Sequence, residues 1–305
     1  VLNGGSTLQT TIQATTSLSS GAMIQFGDAT HCPSSICTDI SVEHLTLDGN
    51  NQTITGILNQ NAQDHTSVNH VTLYRILGYG LSVGVNPLGG DASNSGPYSN
   101  INYDTGTSGA FASTCATING LSGTKGIHGL TCTSTPDSSH AILLDSSNNT
   151  LRDIRIVGFF DGILVGSQNA AHSNILLNVI GDTASPGAPI HVVHLSLSYP
   201  VSDISIMGVH NFLGGQGQYT IEDEVTSTPP LTDSYVAMYV LGEQKNNGYS
   251  RYTTSPSTAT WVVGKSPPSN SSCATGSLYS CSGPGNPACP FALYGCVNGA
   301  WSSIK

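Results

Sequence analysis

Charge is scarce in this chain. Only 9% of its 305 residues are charged, and eight Lys and Arg stand against 18 Asp and Glu, for a formal net charge of −10. Phosphate recognition relies on clustered basic side chains, so nucleic acid is not an expected partner. An anionic polysaccharide would likewise find no basic groove. No run of about 18 apolar residues occurs, so no transmembrane helix is expected. No Cys-x-x-Cys pair is present, which removes the commonest zinc-binding pattern, and no Asp-Asp pair occurs anywhere. The chain begins at Val1 with neither Met nor a basic leader, as expected of a processed secreted protein or of a fragment.

What is abundant is small and polar, interleaved with short apolar runs. Hydrophobic residues make up 38% of the chain, enough for a packed core. Thr150–Ser167, TLRDIRIVGFFDGILVGS, holds two short strands. Ile154 and Ile156 alternate with Asp153 and Arg155, and Ile163 and Val165 flank Leu164. Period-two alternation marks a strand with one buried face. Gly158 and the pair Asp161-Gly162 read as turn residues at the corner between them.

This two-strand unit recurs. The first strand type runs through Leu45, Val71, Ile101, Leu130, Ile154, Ile175 and Ile204, in steps of 26, 30, 29, 24, 21 and 29 residues. The second runs through Ile57, Leu81, Ile118, Ile142, Ile163 and Ile190. Two ladders advancing together predict stacked coils, with loops such as 84–99 projecting from the stack. Ahead of them, Leu8 and Ile12 have the spacing of a short helix over Thr7–Thr15, which would cap the open end of the stack.

Three stretches follow in order. Residues 1–242 are expected to form the coils with an N-terminal cap. Residues 243–272, with Pro256, Pro267 and Pro268, read as a connecting segment. Residues 273–305 read as a small Cys-rich hairpin. The eight cysteines, Cys32, Cys37, Cys115, Cys132, Cys273, Cys281, Cys289 and Cys296, are an even set and predict disulfides and an oxidising, extracellular or cell-surface location. In the tail, Cys281–Cys289 and Cys273–Cys296 is the favoured pairing among three connectivities.

The coils resemble the right-handed parallel β-helix of the pectate-lyase-like superfamily. SVEHLTLDGNNQTITGILNQNAQ (41–63) is similar to proteins related to family 28 glycoside hydrolases. The resemblance implies an all-β solenoid over roughly residues 20–240. It does not carry over that family's catalytic residues. The Asp-Asp pair is missing, Gly126-Ile127-His128-Gly129 carries an insertion relative to Gly-His-Gly, and Arg155-Ile156-Val157 lacks the lysine of Arg-Ile-Lys.

The outward columns of the first ladder supply the candidate chemistry. One runs His44, His70, Asn100, Gly129, Asp153, Asn174, Asp203; a second runs Thr46, Thr72, Asn102, Thr131, Arg155, Leu176, Ser205; a third runs Asp48, Tyr74, Asp104, Thr133, Val157, Asn178, Met207. Asp48 and Asp104, two coils apart, would lie roughly 10 Å apart at the backbone, with Tyr74 between them. An inverting glycosidase holds its carboxyl pair at about 6.5–9.5 Å. Asp153, Arg155 and His128 form a second cluster, whose plain explanation is a surface ion pair. His44 and His70 stack in one column, where a sugar or metal contact competes with a simple surface role. Tyrosines concentrated in the C-terminal third suit packing or sugar stacking. No cofactor or metal is implied.

Two functions are therefore expected. The first is a secreted, non-catalytic β-helix: a structural or adhesive component that self-associates into filaments or a surface matrix, or binds an extracellular glycan. The alternative is a polysaccharide hydrolase or lyase using Asp48, Asp104, Asp153 and Arg155 on the outer face. The broken motifs favour the first.

Overall fold

The computed structural model describes residues 2–3, 10–15, 18, 21–27, 37–84, 92, 94–106, 113–119, 124–182, 191–196, 198–199, 201–202, 204–211, 219–223, 236–239, 261–264, 278–281, 293–297 and 300–304. Among these there is no helix, and so none long and apolar enough to cross a membrane. The chain divides into two compact units, Val1–Arg251 and Tyr252–Lys305.

The first unit is a parallel β-solenoid. One ladder stacks Ser41–Gln52, Ser67–Ile76, Tyr98–Asp104, the first part of Ile127–Asp145, the first part of Thr150–Val165, Ile175–Gly181, Ile204–Asn211 and Val236–Tyr239. The other stacks Ala22–Phe26, Thr55–Asn59, Tyr79–Val83, Thr114–Asn119, the later parts of the two long strands, His191–Leu195 and Tyr219–Asp223. Every pairing in both ladders is parallel, as it must be when each coil lies on the one before.

The alternation of the sequence becomes rungs of core. Leu45, Val71, Ile101, Leu130 and Ile154 are all buried, as are Leu47, Leu73, Tyr103, Cys132 and Ile156 two residues further along. From the second ladder come Ile57, Leu81, Ala116, Ile142, Ile163 and Val193, each without exposed surface. Cys115 of the second ladder and Cys132 of the first meet in a disulfide inside this core, with 5.7 Å between their Cα atoms. Cys37 and Cys296 are also disulfide-bonded. The expected pairing of the four C-terminal cysteines falls outside the described residues.

Three expectations are corrected. The helix over Thr7–Thr15 is instead a strand at Thr10–Gln13, paired with Leu45–Asp48; its threonines are β-branched and fit an extended backbone. On the first ladder Ile154 pairs with Val179 and Val179 with Val209, not with Ile175 and Ile204. Ile175 is accordingly 38% exposed while Leu176 is buried. On the second ladder the partner of Ile142 is Ala116, and that of Ile163 is Val193.

The corrected register exposes a regularity of the backbone. His44, His70, Asn100, Gly129, Asp153, Asn178 and Gly208 all have φ between +51° and +64° or, for Gly208, +65°. Each sits at the same step of its coil, immediately before the inward residue. Gly takes this left-handed conformation most readily, and Asn, Asp and His more readily than other residues. The column is therefore set by backbone geometry first and by side-chain chemistry second.

Asn174, expected in that outward column, is instead buried in an asparagine ladder. Asn149 Oδ1 accepts from the Thr124 N–H (2.9 Å) and hydroxyl (3.1 Å). Asn149 Nδ2 donates to Ser146 Oγ at 2.7 Å and to Asn174 Oδ1 at 3.0 Å, while Asn174 Nδ2 donates to the Ser146 carbonyl at 2.8 Å. The ladder satisfies backbone groups at a turn where no strand can. Asn149→Ala would strip partners from several buried groups at once. A loss of about 2 kcal/mol is expected, read as a lowered urea midpoint with an unchanged m-value.

The second unit holds a four-stranded sheet in the order Trp261–Gly264, Leu278–Cys281, Leu293–Val297, Ala300–Ile304. The first pair is parallel, and the last three strands form antiparallel hairpins. Tyr279 packs edge-on against Tyr294 and Trp301, with ring centroids 6.1 and 5.7 Å away. Of the C-terminal tyrosines, Tyr279 and Tyr294 thus pack within this sheet.

Candidate functional site

The third outward column of the first ladder is real: Asp48 pairs with Tyr74, Tyr74 with Asp104, and Asp104 with Thr133. Its aspartates are engaged within the protein. Asp48 is buried, and Oδ1 accepts from the Asn50 N–H and from Arg75 Nε, both at 2.9 Å. Oδ2 accepts from Gln13 Nε2 at 3.0 Å and from the Arg75 guanidinium. Arg75 also lies over the Tyr74 ring, 5.2 Å from its centroid. Asp104 Oδ1 accepts from the Gly106 N–H at 2.7 Å.

Burial alone would raise the Asp48 pKa. Hydrogen bonds from Arg75, Asn50 and Gln13 and the Arg75 charge outweigh it, so the carboxyl titrates below its usual range. A depressed folded pKa gives stability that is present above the unfolded value of about 3.9 and is lost as the pH falls through it towards the folded value. On acidification from about pH 6 to about pH 2, the wild type should lose more stability than Asp48→Asn, measured by urea titration across that range.

The remaining first-ladder candidates are also held locally. Asp153 Oδ1 accepts from Asn178 Nδ2 at 2.8 Å. Arg155 pairs with Asp182, through Nε at 2.7 Å and through its terminal nitrogen, and not with Asp153. His128 sits in register with Arg152; burial and that positive charge lower its pKa, and Asp153 partly offsets them. His44 and His70 are exposed and stacked on each other, 5.0 Å between centroids and 16° between planes.

A different cluster is more concentrated, and it lies on the second ladder. His140, Asp161 and His191 occupy one register position on three successive strands. Asp161, expected only as a turn residue, is instead a strand residue with 1% of its surface exposed. The corner is made upstream, at Gly158 with φ +79°. Asp161 Oδ1 is 2.6 Å from His191 Nδ1. Oδ2 is 2.9 Å from His140 Nδ1 and 3.2 Å from His194 Nδ1.

Three residues of straight strand would separate His191 from His194 by about 10 Å. Both nonetheless reach one carboxylate, through different oxygens, and their rings are 5.1 Å apart. Gly162 permits the close approach of this strand, because a Cβ there would collide with the Val192 carbonyl and stand 3.0 Å from Ile156 Cδ1. Phe160, 46% exposed, meets His191 edge-on at 5.8 Å.

Burial by itself would raise the Asp161 pKa. Hydrogen bonds from His140, His191 and His194 reverse this and hold the carboxyl far below its ordinary range. An ionised carboxylate only accepts, so each Nδ1 carries the donated proton. The groups that stabilise this buried charge are all histidines, in a chain with few Lys or Arg to offer.

The signal for this cluster was present in HAILLDS, DGILVGS and HVVHLS. Aligned on Ile142, Ile163 and Val193, they place His140, Asp161 and His191 in one column. An alignment on Ile190 shifts the last strand by three residues and hides it. No family model, no curated protein and no solved structure matches this chain.

Proposed function

We propose that this protein is a secreted, non-catalytic β-helix of the pectate-lyase-like kind, a structural or adhesive component at or outside the cell surface. One observation carries the reading: the first-ladder side chains best suited to sugar chemistry are engaged with one another along the stack. Asp48 is enclosed by Arg75, Gln13 and Asn50, Arg155 by Asp182, and Asp153 by Asn178. A general acid has to retain its proton near working pH, whereas Asp48 is pushed the other way. Such side-chain ladders stiffen a face; a catalytic face keeps groups poised for substrate.

The register of Asp48, Tyr74 and Asp104 favours a second reading, a polysaccharide hydrolase or lyase acting across that column. A panel of polysaccharides separates the two. Neither reducing sugar nor unsaturated product is expected above background, with ordered assemblies or a surface layer seen by electron microscopy of native material. Product release that is abolished in Asp104→Ala would establish the enzyme instead. Protein that stays monomeric by light scattering and forms no ordered polymer would remove the filament version.

A further inference from the structure

We propose that Asp161, His191 and His194 form a binding site for a divalent first-row transition cation, zinc being the cation tested, and that the bound ion clamps two successive coils together. The three side chains offer one carboxylate oxygen and two imidazole nitrogens, all within 4.8 Å of one another. Zinc binds nitrogen at about 2.0–2.1 Å and carboxylate oxygen at about 2.0–2.2 Å, so tetrahedral ligand atoms stand about 3.3 Å apart. His191 Nδ1 stands 2.6 Å from Oδ1 and His194 Nδ1 3.2 Å from Oδ2, and with all three ligand atoms within 4.8 Å of one another side-chain shifts of about 1–2 Å bring them to that spacing. Two imidazoles and one carboxylate suit zinc or iron and leave coordination positions for water.

Burial strengthens the case. Asp161 is 1% exposed and His191 7%, and among the described residues the hydrogen-bond partners of the Asp161 carboxylate are histidines. A dication offsets that charge more fully than hydrogen bonds alone do. Coordination uses the Nδ1 lone pair, so the proton that each ligating ring donates to Asp161 leaves that nitrogen as the ion binds. His140 completes the arrangement. Its Nδ1 donates to Asp161 Oδ2 at 2.9 Å and orients the carboxylate from the preceding coil, as outer partners of metal ligands do. His140 is thus a positioning residue, and the ligands come from two adjacent strands, Thr150–Val165 and His191–Leu195.

The test is titration of chelator-treated full-length protein with zinc chloride, followed by calorimetry and by competition with a chromophoric chelator. One saturable site per chain is expected, together with a rise in the thermal midpoint. The double variant His191→Gln/His194→Gln should lose at least 100-fold in affinity, and His140→Gln about 10-fold. His44→Ala/His70→Ala should bind as the wild type does. Circular dichroism identifies folded variants. For any that do not fold, zinc protection of His191 and His194 in the wild type from diethylpyrocarbonate gives the same answer. Absence of a saturable site at 100 μM zinc overturns the proposal. So does undiminished binding by the folded double variant, loss of binding in the His44/His70 variant, or absence of protection.

Discussion

Asp161→Ala, measured in chelator, is expected to destabilise the solenoid by about 3–5 kcal/mol. The carboxylate accepts from three histidines at once. Its removal leaves His191, which is buried, and the partly buried His140 and His194 without the acceptor that orients them. It also opens a void in a packed layer. At about 2–4 °C per kcal/mol for a domain of this size, the thermal midpoint should fall by roughly 6–20 °C. Asp161→Asn should lie between the two, since an amide oxygen still accepts but the charge is gone. An alanine variant within about 0.5 kcal/mol of the wild type would mean that the cluster contributes no net stability.

Gly162→Ala is expected to be comparably severe, at least about 3 kcal/mol, although it adds a single methyl group. The backbone conformation of Gly162 would admit alanine; the obstacle is the Val192 carbonyl, which a Cβ would strike, with Ile156 Cδ1 at 3.0 Å behind it. A backbone carbonyl within a parallel ladder cannot yield without breaking the pairing of Ile163 with Val193. The strand bearing His191 and His194 would therefore be displaced. Gly162→Ala should lower zinc affinity as well as the urea midpoint, whereas Asn149→Ala, remote from the histidines in its hydrogen-bond network, should lower only the midpoint. A Gly162→Ala protein of wild-type stability would show that the two strands separate more easily than their packing implies.

The fold was legible because its signal is redundant. Leu45, Val71, Ile101, Leu130 and Ile154 all report the same inward step, and an error at one coil does not disturb the others. Register in the later coils was harder to read. Ile175 and Val179 are both apolar and differ by an even number of residues, so alternation alone accepts either. The left-handed column accepts either as well, because Asn174 and Asp203 tolerate positive φ as Asn178 and Gly208 do; the pairing of Val179 with Ile154 and Val209 settles the register. The site was the least legible part. Asp161-Gly162 has the composition of a turn, and only contact with histidines from the neighbouring coils shows the aspartate to be a buried anion. Residues such as Asp48 and Arg155 were conspicuous because they are charged, yet their partners are set by features alternation does not encode: Arg75 takes a left-handed backbone near the end of its strand, and Asp182 lies just past the end of Ile175–Gly181.

The Cys115–Cys132 disulfide lies wholly within the core, with neither residue exposed. A thiolate must reach the sulfur to exchange with it, so a reductant can act only while the coils around it are parted. The reduction rate in non-denaturing buffer is then a clock for that opening. It should level off as reductant concentration rises, at a ceiling set by the motion of the protein itself.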